Sequence, residues 1–75
     1  MTSEKHLVLY NDKEHSYNYV TASLIRFCRH DFIQAEQCAI IANNVGKCTI
    51  KQGDFMELLQ IQNNLNKLNL KTELV

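Results

Sequence analysis

The sequence predicts a small α+β domain, and three observations lead to this class. The chain has 75 residues, close to the lower size limit for a domain with its own core. One short apolar segment and two short alternating segments have the pattern of strands, whereas three longer segments have helical spacing. The order is β-α-α-β-α-β. Since three strands are too few to cover both faces with helices, we expect one domain over residues 1–75, with a mainly antiparallel sheet and three helices packed on one face.

The first predicted strand covers residues 5–11, which are rich in Leu, Val and Tyr. A polar loop follows at residues 12–16, and the hydroxyl of Ser16 is expected to cap a helix that extends to about Arg29. The predicted buried stripe of this helix has the usual three- or four-residue spacing and consists of Val20, Leu24, Phe27 and Cys28.

The second predicted helix begins after Asp31, and Gln34 completes a capping-box pattern. Gly46 fits the left-handed residue that ends many helices. The periodic apolar positions between them are mostly small, which indicates close packing against a neighbour, and they are Ala35, Cys38, Ala39, Ala42 and Val45.

The rest of the chain predicts a strand, a helix and a strand. Residues 48–52 alternate, and Cys48 and Ile50 are expected on the buried face. Gly53 turns the chain, and Asp54 with Glu57 forms a second capping-box pattern. Residues 70–75 alternate and predict the last strand. The stripe predicted for the third helix is Phe55, Leu58, Leu59, Gln62, Leu65 and Leu68.

Composition argues against several classes of protein. Eight basic and eight acidic residues give a net charge of zero, and no basic stripe of a nucleic-acid-binding protein is present. No apolar run approaches the roughly 20 residues of a membrane span. The N-terminal residues 1–6 lack the plan of a signal peptide. We therefore expect a cytoplasmic protein that binds neither nucleic acid nor membrane.

The cysteines and histidines do not predict a metal site or a cofactor. Cys28, Cys38 and Cys48 form no C-x-x-C pair, and buried thiols behave as small apolar residues. The histidines lie on separate elements, whereas a zinc site needs convergent ligands. A small hydrolase that uses Cys28 with His30 or His15 is the enzyme alternative, and an unreactive thiol would argue against it.

The most informative motif is Asn11-Asp12 at the end of the first strand. An ammonium group has three donors, and amide and carboxylate oxygens supply acceptors for it without a metal. The following helix can form the wall of a pocket beside them. The same two residues also favour turns for local reasons, so a purely structural role stays open.

Residues 6–75 together resemble the ClpS family, the adaptors of bacterial Clp proteases. The first similar element is Asn11-Asp12 followed by the aromatic-Val pair Tyr19-Val20. The second is Ala35-Glu36-Gln37, which leads to Gly46 and a strand. The third is the start of the last helix at Glu57, with a closing strand that contains Leu70, Thr72 and Glu73.

The resemblance implies a monomeric, non-enzymatic adaptor without a cofactor. Members of the family bind proteins with a bulky apolar N-terminal residue (an N-degron) and deliver them to a Clp AAA+ unfoldase, which feeds the ClpP protease. The resemblance assigns the N-terminal amine to Asn11, Asp12 and Asn43. It assigns the apolar side-chain pocket to Tyr17, Tyr19, Val20 and Ala39. It assigns docking on the N-terminal domain of the Clp ATPase to Glu57.

Three positions depart from the family pattern. Lys13 replaces a second Asp, Asn43 replaces a His of the second helix, and His15 replaces a small hydroxyl residue. Ala39 stands where the family often has Met, which would widen the pocket. Lys13 and Asn43 keep a second hypothesis open, in which the protein docks on the Clp ATPase as a modulator but no longer recognises N-degrons.

Overall fold

The computed structural model describes residues 4–75, so the prediction about the N-terminus rests partly on residues outside the described part. In chain order the elements are β1 (Lys5–Tyr10), α1 (Tyr17–Cys28), α2 (Phe32–Val45), β2 (Lys47–Gly53), α3 (Phe55–Lys67) and β3 (Thr72–Leu74). The predicted α+β order is confirmed. Within the described residues, no helix has both the length and the apolarity needed to cross a membrane.

The sheet has the order β2-β1-β3, and both outer strands are antiparallel to β1. β2 and β3 are therefore parallel to each other, and α3 provides the connection between them. The pairing of β1 with β2 contains a bulge, because Leu7 faces Lys51 and Val8 faces Thr49. Ile50 is the additional residue of this bulge.

Each helix begins at a capping side chain. The Ser16 hydroxyl accepts the Tyr19 N–H at 3.2 Å, and the Asp31 carboxylate accepts the Gln34 N–H at 2.7 Å. The Asp54 carboxylate also caps α3, but it accepts the N–H of Met56 instead of the predicted N–H of Glu57. Gly46 ends α2 with φ 107°, as predicted, and its N–H donates to the Ala42 carbonyl at 2.9 Å.

The core lies between the sheet and the helices. Leu7 and Leu9 of β1 belong to one buried cluster with residues of all three helices, whereas the neighbouring Val8 does not. The largest side chains with almost no exposure are leucines, namely Leu7, Leu9, Leu24, Leu58, Leu65 and Leu70.

The predicted stripes are wrong at two positions, Val45 and Phe55. Val45 is 73% exposed, because the three-residue step from Ala42 turns it about 60° away from the buried face of α2. Phe55 is 45% exposed at the start of α3, and the buried position that the prediction missed is Ile61. Phe27 is only partly buried at the edge of the core.

Candidate functional site

A small cavity of about 60 Å³ lies between the end of β1, the start of α1 and the second half of α2. We call it the amine recess. Its buried part is apolar, and its rim carries amide, carboxylate and imidazole groups. The lining residues are Leu9, Tyr10, Asn11, Asp12, His15, Tyr17, Val20, Ala39, Ala42 and Asn43.

Backbone hydrogen bonds fix the polar rim at the end of β1. The Tyr10 N–H donates to the Lys71 carbonyl at 3.0 Å, and the Asn11 N–H donates to the Gly46 carbonyl at 2.9 Å. The second bond ties the strand end to the residue that follows α2. Asn11 and Asn43 therefore border the same recess, although 32 positions (43 − 11) separate them in the chain.

The Asp12 carboxylate organises the loop between β1 and α1. One carboxylate oxygen accepts the N–H of Glu14 at 2.8 Å and the N–H of His15 at 3.1 Å. The other oxygen is hydrogen-bonded to Nδ1 of the His15 ring. Burial tends to raise the pKa of Asp12, but these hydrogen bonds outweigh it and hold the pKa below its ordinary value of 3.8. Asp12 is therefore ionised at neutral pH.

The His15 ring is held on both sides. Asp12 binds its Nδ1, and the ring stacks on Tyr19 with a centroid distance of 4.4 Å and an interplanar angle of 13°. The Tyr19 hydroxyl in turn donates to the Leu68 carbonyl at 2.9 Å, which anchors the stack to the end of α3. Only 19% of the His15 side chain is exposed, so its position in the rim is well defined.

Six of the predicted site residues border the amine recess: Asn11, Asp12, Asn43, Tyr17, Val20 and Ala39. Tyr19 does not line it, because its ring lies against His15 and its hydroxyl reaches α3. The sequence-based prediction did not include Leu9, Tyr10, His15 or Ala42. Ala42 lies one helical turn after Ala39, and the Asp12-x-x-His15 spacing is typical of a side-chain-closed turn, so both carried a usable signal.

Lys13 lies outside the recess. It is exposed and borders a neighbouring cavity of about 290 Å³, together with Asn11, Asp12, Glu14, Asn69 and Lys71. The lysine that replaces the second Asp of the family pattern therefore does not line the recess.

Glu57 lies away from the recess, exposed in the first turn of α3. It borders a cavity of about 330 Å³ with Phe27, Arg29, Lys51, Gln60 and Ile61. Phe27 and Arg29 lie at the C-terminal end of α1, whereas Tyr17 and Val20 of the recess lie at its N-terminal end. The 12 residues of α1 span about 18 Å, so the two cavities lie near opposite ends of this helix.

Two of the three thiols lie in surroundings that disfavour the thiolate form. Burial raises the pKa of Cys28 to about 11, and the nearby charge of Lys51 offsets this only in part. Burial and the neighbouring Cys48 raise the pKa of Cys38 to about 12. The His30 ring is hydrogen-bonded through Nε2, which lies 2.6 Å from the Ile50 carbonyl oxygen of the bulge. Among residues 4–75, no cluster of three potential ligands that could hold a metal ion is found.

Fold and site together define a class of protein, a small α+β domain that presents an apolar recess with amide, carboxylate and imidazole groups at its rim. Such a site suits the N-terminus of a peptide. The family model described as "ATP-dependent Clp protease adaptor protein ClpS" matches residues 2–73. The chain belongs to the ClpS family, and its role is that of an adaptor in Clp proteolysis. Proteins of this family are adaptors rather than enzymes.

The fold is also similar to that of a solved structure. The structure of ClpS2 from Agrobacterium tumefaciens bound to L-phenylalaninamide superposes with a TM-score of 0.78 over 100% of both chains. Sequence identity is 15%, so this similarity concerns the fold. No curated protein matches the sequence significantly.

Proposed function

We propose that this protein binds client proteins through a bulky apolar N-terminal residue and delivers them to a Clp AAA+ unfoldase, for degradation by ClpP in the cytoplasm. The observation that carries the proposal is the amine recess. It combines the apolar lining of Val20, Ala39 and Ala42 with oxygen acceptors from Asn11 and Asn43. An ammonium group and the side chain on the same carbon can be satisfied there together.

The similar ClpS2 structure supports this ligand class, because L-phenylalaninamide carries a free α-amine and an apolar side chain.

The recess is small even though Ala39 replaces the Met often found in the family. Its 60 Å³ is below the roughly 150 Å³ of a cavity that accepts benzene. A large side chain therefore requires the recess to widen, and Tyr17, which lines it and is 48% exposed, is the lining residue that we expect to move.

Peptide binding tests this proposal directly. Fluorescence anisotropy is measured for short peptides that begin with Leu, Phe, Tyr, Trp, Arg or Ala, each compared with its N-acetylated twin. We expect binding of the four bulky apolar peptides and at least about a tenfold loss on acetylation, because the acetylated nitrogen carries no charge and fewer donors. Equal affinity for free and acetylated twins would contradict amine recognition.

The second candidate function is a ClpS-fold modulator that docks on the ATPase without reading N-degrons. Its support is that the Asp12 carboxylate is already bound within its own loop, while Asn43 replaces the family His. No binding of any peptide at high protein concentration, together with intact ATPase binding, would favour this function.

Docking on the ATPase is proposed at Glu57, within a surface that also contains Arg29 and Lys51. Isothermal titration with the N-terminal domain of a Clp ATPase tests it. Glu57→Lys should weaken binding by at least about tenfold, because like charges at a specific interface repel. Glu36→Lys is the matched control, since Glu36 is also an exposed helical residue and borders neither surface. Equal affinity of the two variants would place docking elsewhere.

A further inference from the structure

The recess contains a group that the family pattern does not supply, the imidazole of His15. The family pattern has a small hydroxyl residue at this position and a His on the second helix, where this chain has Asn43. Compared with the family pattern, the recess lacks a ring nitrogen on the α2 side and gains one from the loop between β1 and α1. What the His15 ring offers to a ligand depends on where its protons lie.

The hydrogen bond to Asp12 determines the tautomer of His15. The Asp12 carboxylate is ionised and can only accept, so the atom bonded to it, Nδ1, must carry a proton. In the neutral ring Nε2 then holds a lone pair. This atom has no hydrogen-bond partner among the described residues, and His15 is one of the residues that line the recess. In its neutral form, the His15 ring therefore has an unused acceptor.

The count of acceptors fits an ammonium group. Asn11 and Asn43 also line the recess, and no hydrogen bond of either side chain is found within residues 4–75. With Nε2 of His15 they provide three acceptors for the three donors of a protonated N-terminus. Asp12 supplies the negative charge behind the ring and fixes its orientation, as carboxylates do for functional histidines.

We propose that His15 is a specificity-determining residue of this chain, whose Nε2 accepts a hydrogen bond from the N-terminal ammonium of the client while Asp12 holds the required tautomer. The inference rests on the proposed function and names the acceptor that replaces the missing helix histidine. It also predicts a pH dependence. A second proton on the ring would turn Nε2 into a donor and place a positive charge beside the ammonium.

The direction of the pH effect follows from the groups around His15. Of the residue types present, only an imidazole ordinarily changes its charge between pH 5 and 8. The other titratable groups that line the recess are Tyr10, Asp12 and Tyr17, and Tyr19 stacks on the ring. The neighbouring cavity adds the charged residues Lys13, Glu14 and Lys71. The residues that α2 contributes to the recess are uncharged. Asp12 stays ionised in this range because its pKa is lowered. Client affinity should therefore fall on acidification, by up to about tenfold per pH unit for one proton.

The test measures the affinity of a Leu-initiated peptide from pH 5.5 to 7.5, where the peptide amine, with an ordinary pKa of about 8, stays largely protonated. The wild type should lose affinity towards pH 5.5. His15→Phe keeps a ring against Tyr19 but removes both nitrogens, so its affinity at pH 7.5 should be at least about tenfold lower and its pH profile flat. His6→Gln is the control, because His6 lies near the other end of β1 and should keep the wild-type profile.

The outcomes separate this inference from the proposed function. Acetylation-sensitive binding with the same affinity and pH profile in His15→Phe would overturn the role of His15 and leave N-terminal recognition intact. If the wild type bound none of the peptides, both the role of His15 and the proposed recognition of N-termini would be overturned. NMR of the ring nitrogens provides a check without peptide, since a proton on Nε2 instead of Nδ1 in the neutral ring of the free protein would also overturn the proposal.

Discussion

Asp12 shows how one side chain serves both the loop and the recess. It accepts hydrogen bonds from two backbone N–H groups and from the His15 ring, and only 11% of its side chain is exposed. Its replacement by Ala would disturb the loop as well as the ligand site. Asp12→Asn is the better variant, because the amide oxygen can still close the turn while the charge is removed.

Asp12→Asn should lower the affinity for a Leu-initiated peptide by about tenfold without unfolding the domain, since the negative charge behind His15 is lost. Anisotropy gives the affinity and circular dichroism reports the fold. Asp31→Asn makes the same chemical change at an exposed helix cap, where Asn caps as well as Asp, and it should bind like the wild type. Equal affinities for both variants would remove Asp12 from the site.

Lys13→Asp should strengthen peptide binding only slightly, by at most about fivefold. The lysine is exposed and borders the neighbouring cavity, so its repulsion acts through water and amounts to about 1 kcal/mol or less. The gain should disappear near 1 M salt, where the Debye length is about 3 Å. Lys5→Asp, with the same change of charge at the start of β1, should have no effect. A gain well above tenfold would mean that the Lys13 ammonium enters the recess.

Alkylation of the thiols tests the enzyme alternative. With a pKa of about 11, the Cys28 thiol should be almost entirely protonated at pH 7.5 and should resist iodoacetamide. The partly exposed Cys48 should be the first to react, and all three should react in urea. Mass spectrometry identifies the labelled residues. If Cys28 were labelled in the native protein as fast as in urea, an activated thiol would have to be reconsidered.

At the level of the elements, α2 depends on its cap and on its small residues. Ala35, Ala39 and Ala42 are buried and allow the helix to approach the sheet closely, while Ala39 and Ala42 also form the apolar side of the recess. The turn before α2 uses Arg29 at φ 57°, a left-handed conformation that no glycine signals in the sequence. The stability of α2 therefore affects the shape of the ligand site.

Asp31→Ala should destabilise the domain by about 1 kcal/mol, because the Gln34 N–H loses its capping acceptor. For a domain of this size the midpoint of thermal unfolding should fall by about 4–8 °C, as measured by circular dichroism. Asp31→Asn should be close to the wild type. A drop of equal size in Asp31→Asn would show that charge, and not the hydrogen bond, is what matters at this cap.

At the scale of the whole molecule, the recess and the proposed docking surface at Glu57 lie near opposite ends of α1. The leucine-rich core lies between the helices and the sheet. This separation suits a tether, which must hold a client and the unfoldase at the same time to raise the local concentration of the client.

Leu65→Ala should lower the free energy of unfolding by about 2–5 kcal/mol, because the side chain is fully buried and a cavity would remain. Urea unfolding measures this loss. Val45→Ala, at a 73% exposed position, should change the stability by less than about 0.5 kcal/mol.

The sequence by itself determined the order of the elements, their caps and most of the core. Helix caps, the Gly46 stop and the spacing of apolar residues act over a few positions, so Ser16, Asp31 and Asp54 could be read locally. Where local signals were weak, at the end positions Val45 and Phe55, burial was predicted wrongly. Six of the residues that the Asn11-Asp12 motif and the family resemblance assigned to the site line the same recess.

Only the tertiary structure decided how the rim is assembled. The bond from Asn11 to Gly46 brings Asn43 to the strand end, and the stack on Tyr19, anchored at Leu68, fixes the His15 ring. These contacts join residues up to 49 positions apart, and their geometry depends on the packing of three helices against one sheet. Local propensity contains no such information, so the stacking of His15 on Tyr19 and the displacement of Tyr19 from the recess could be recognised only from the fold.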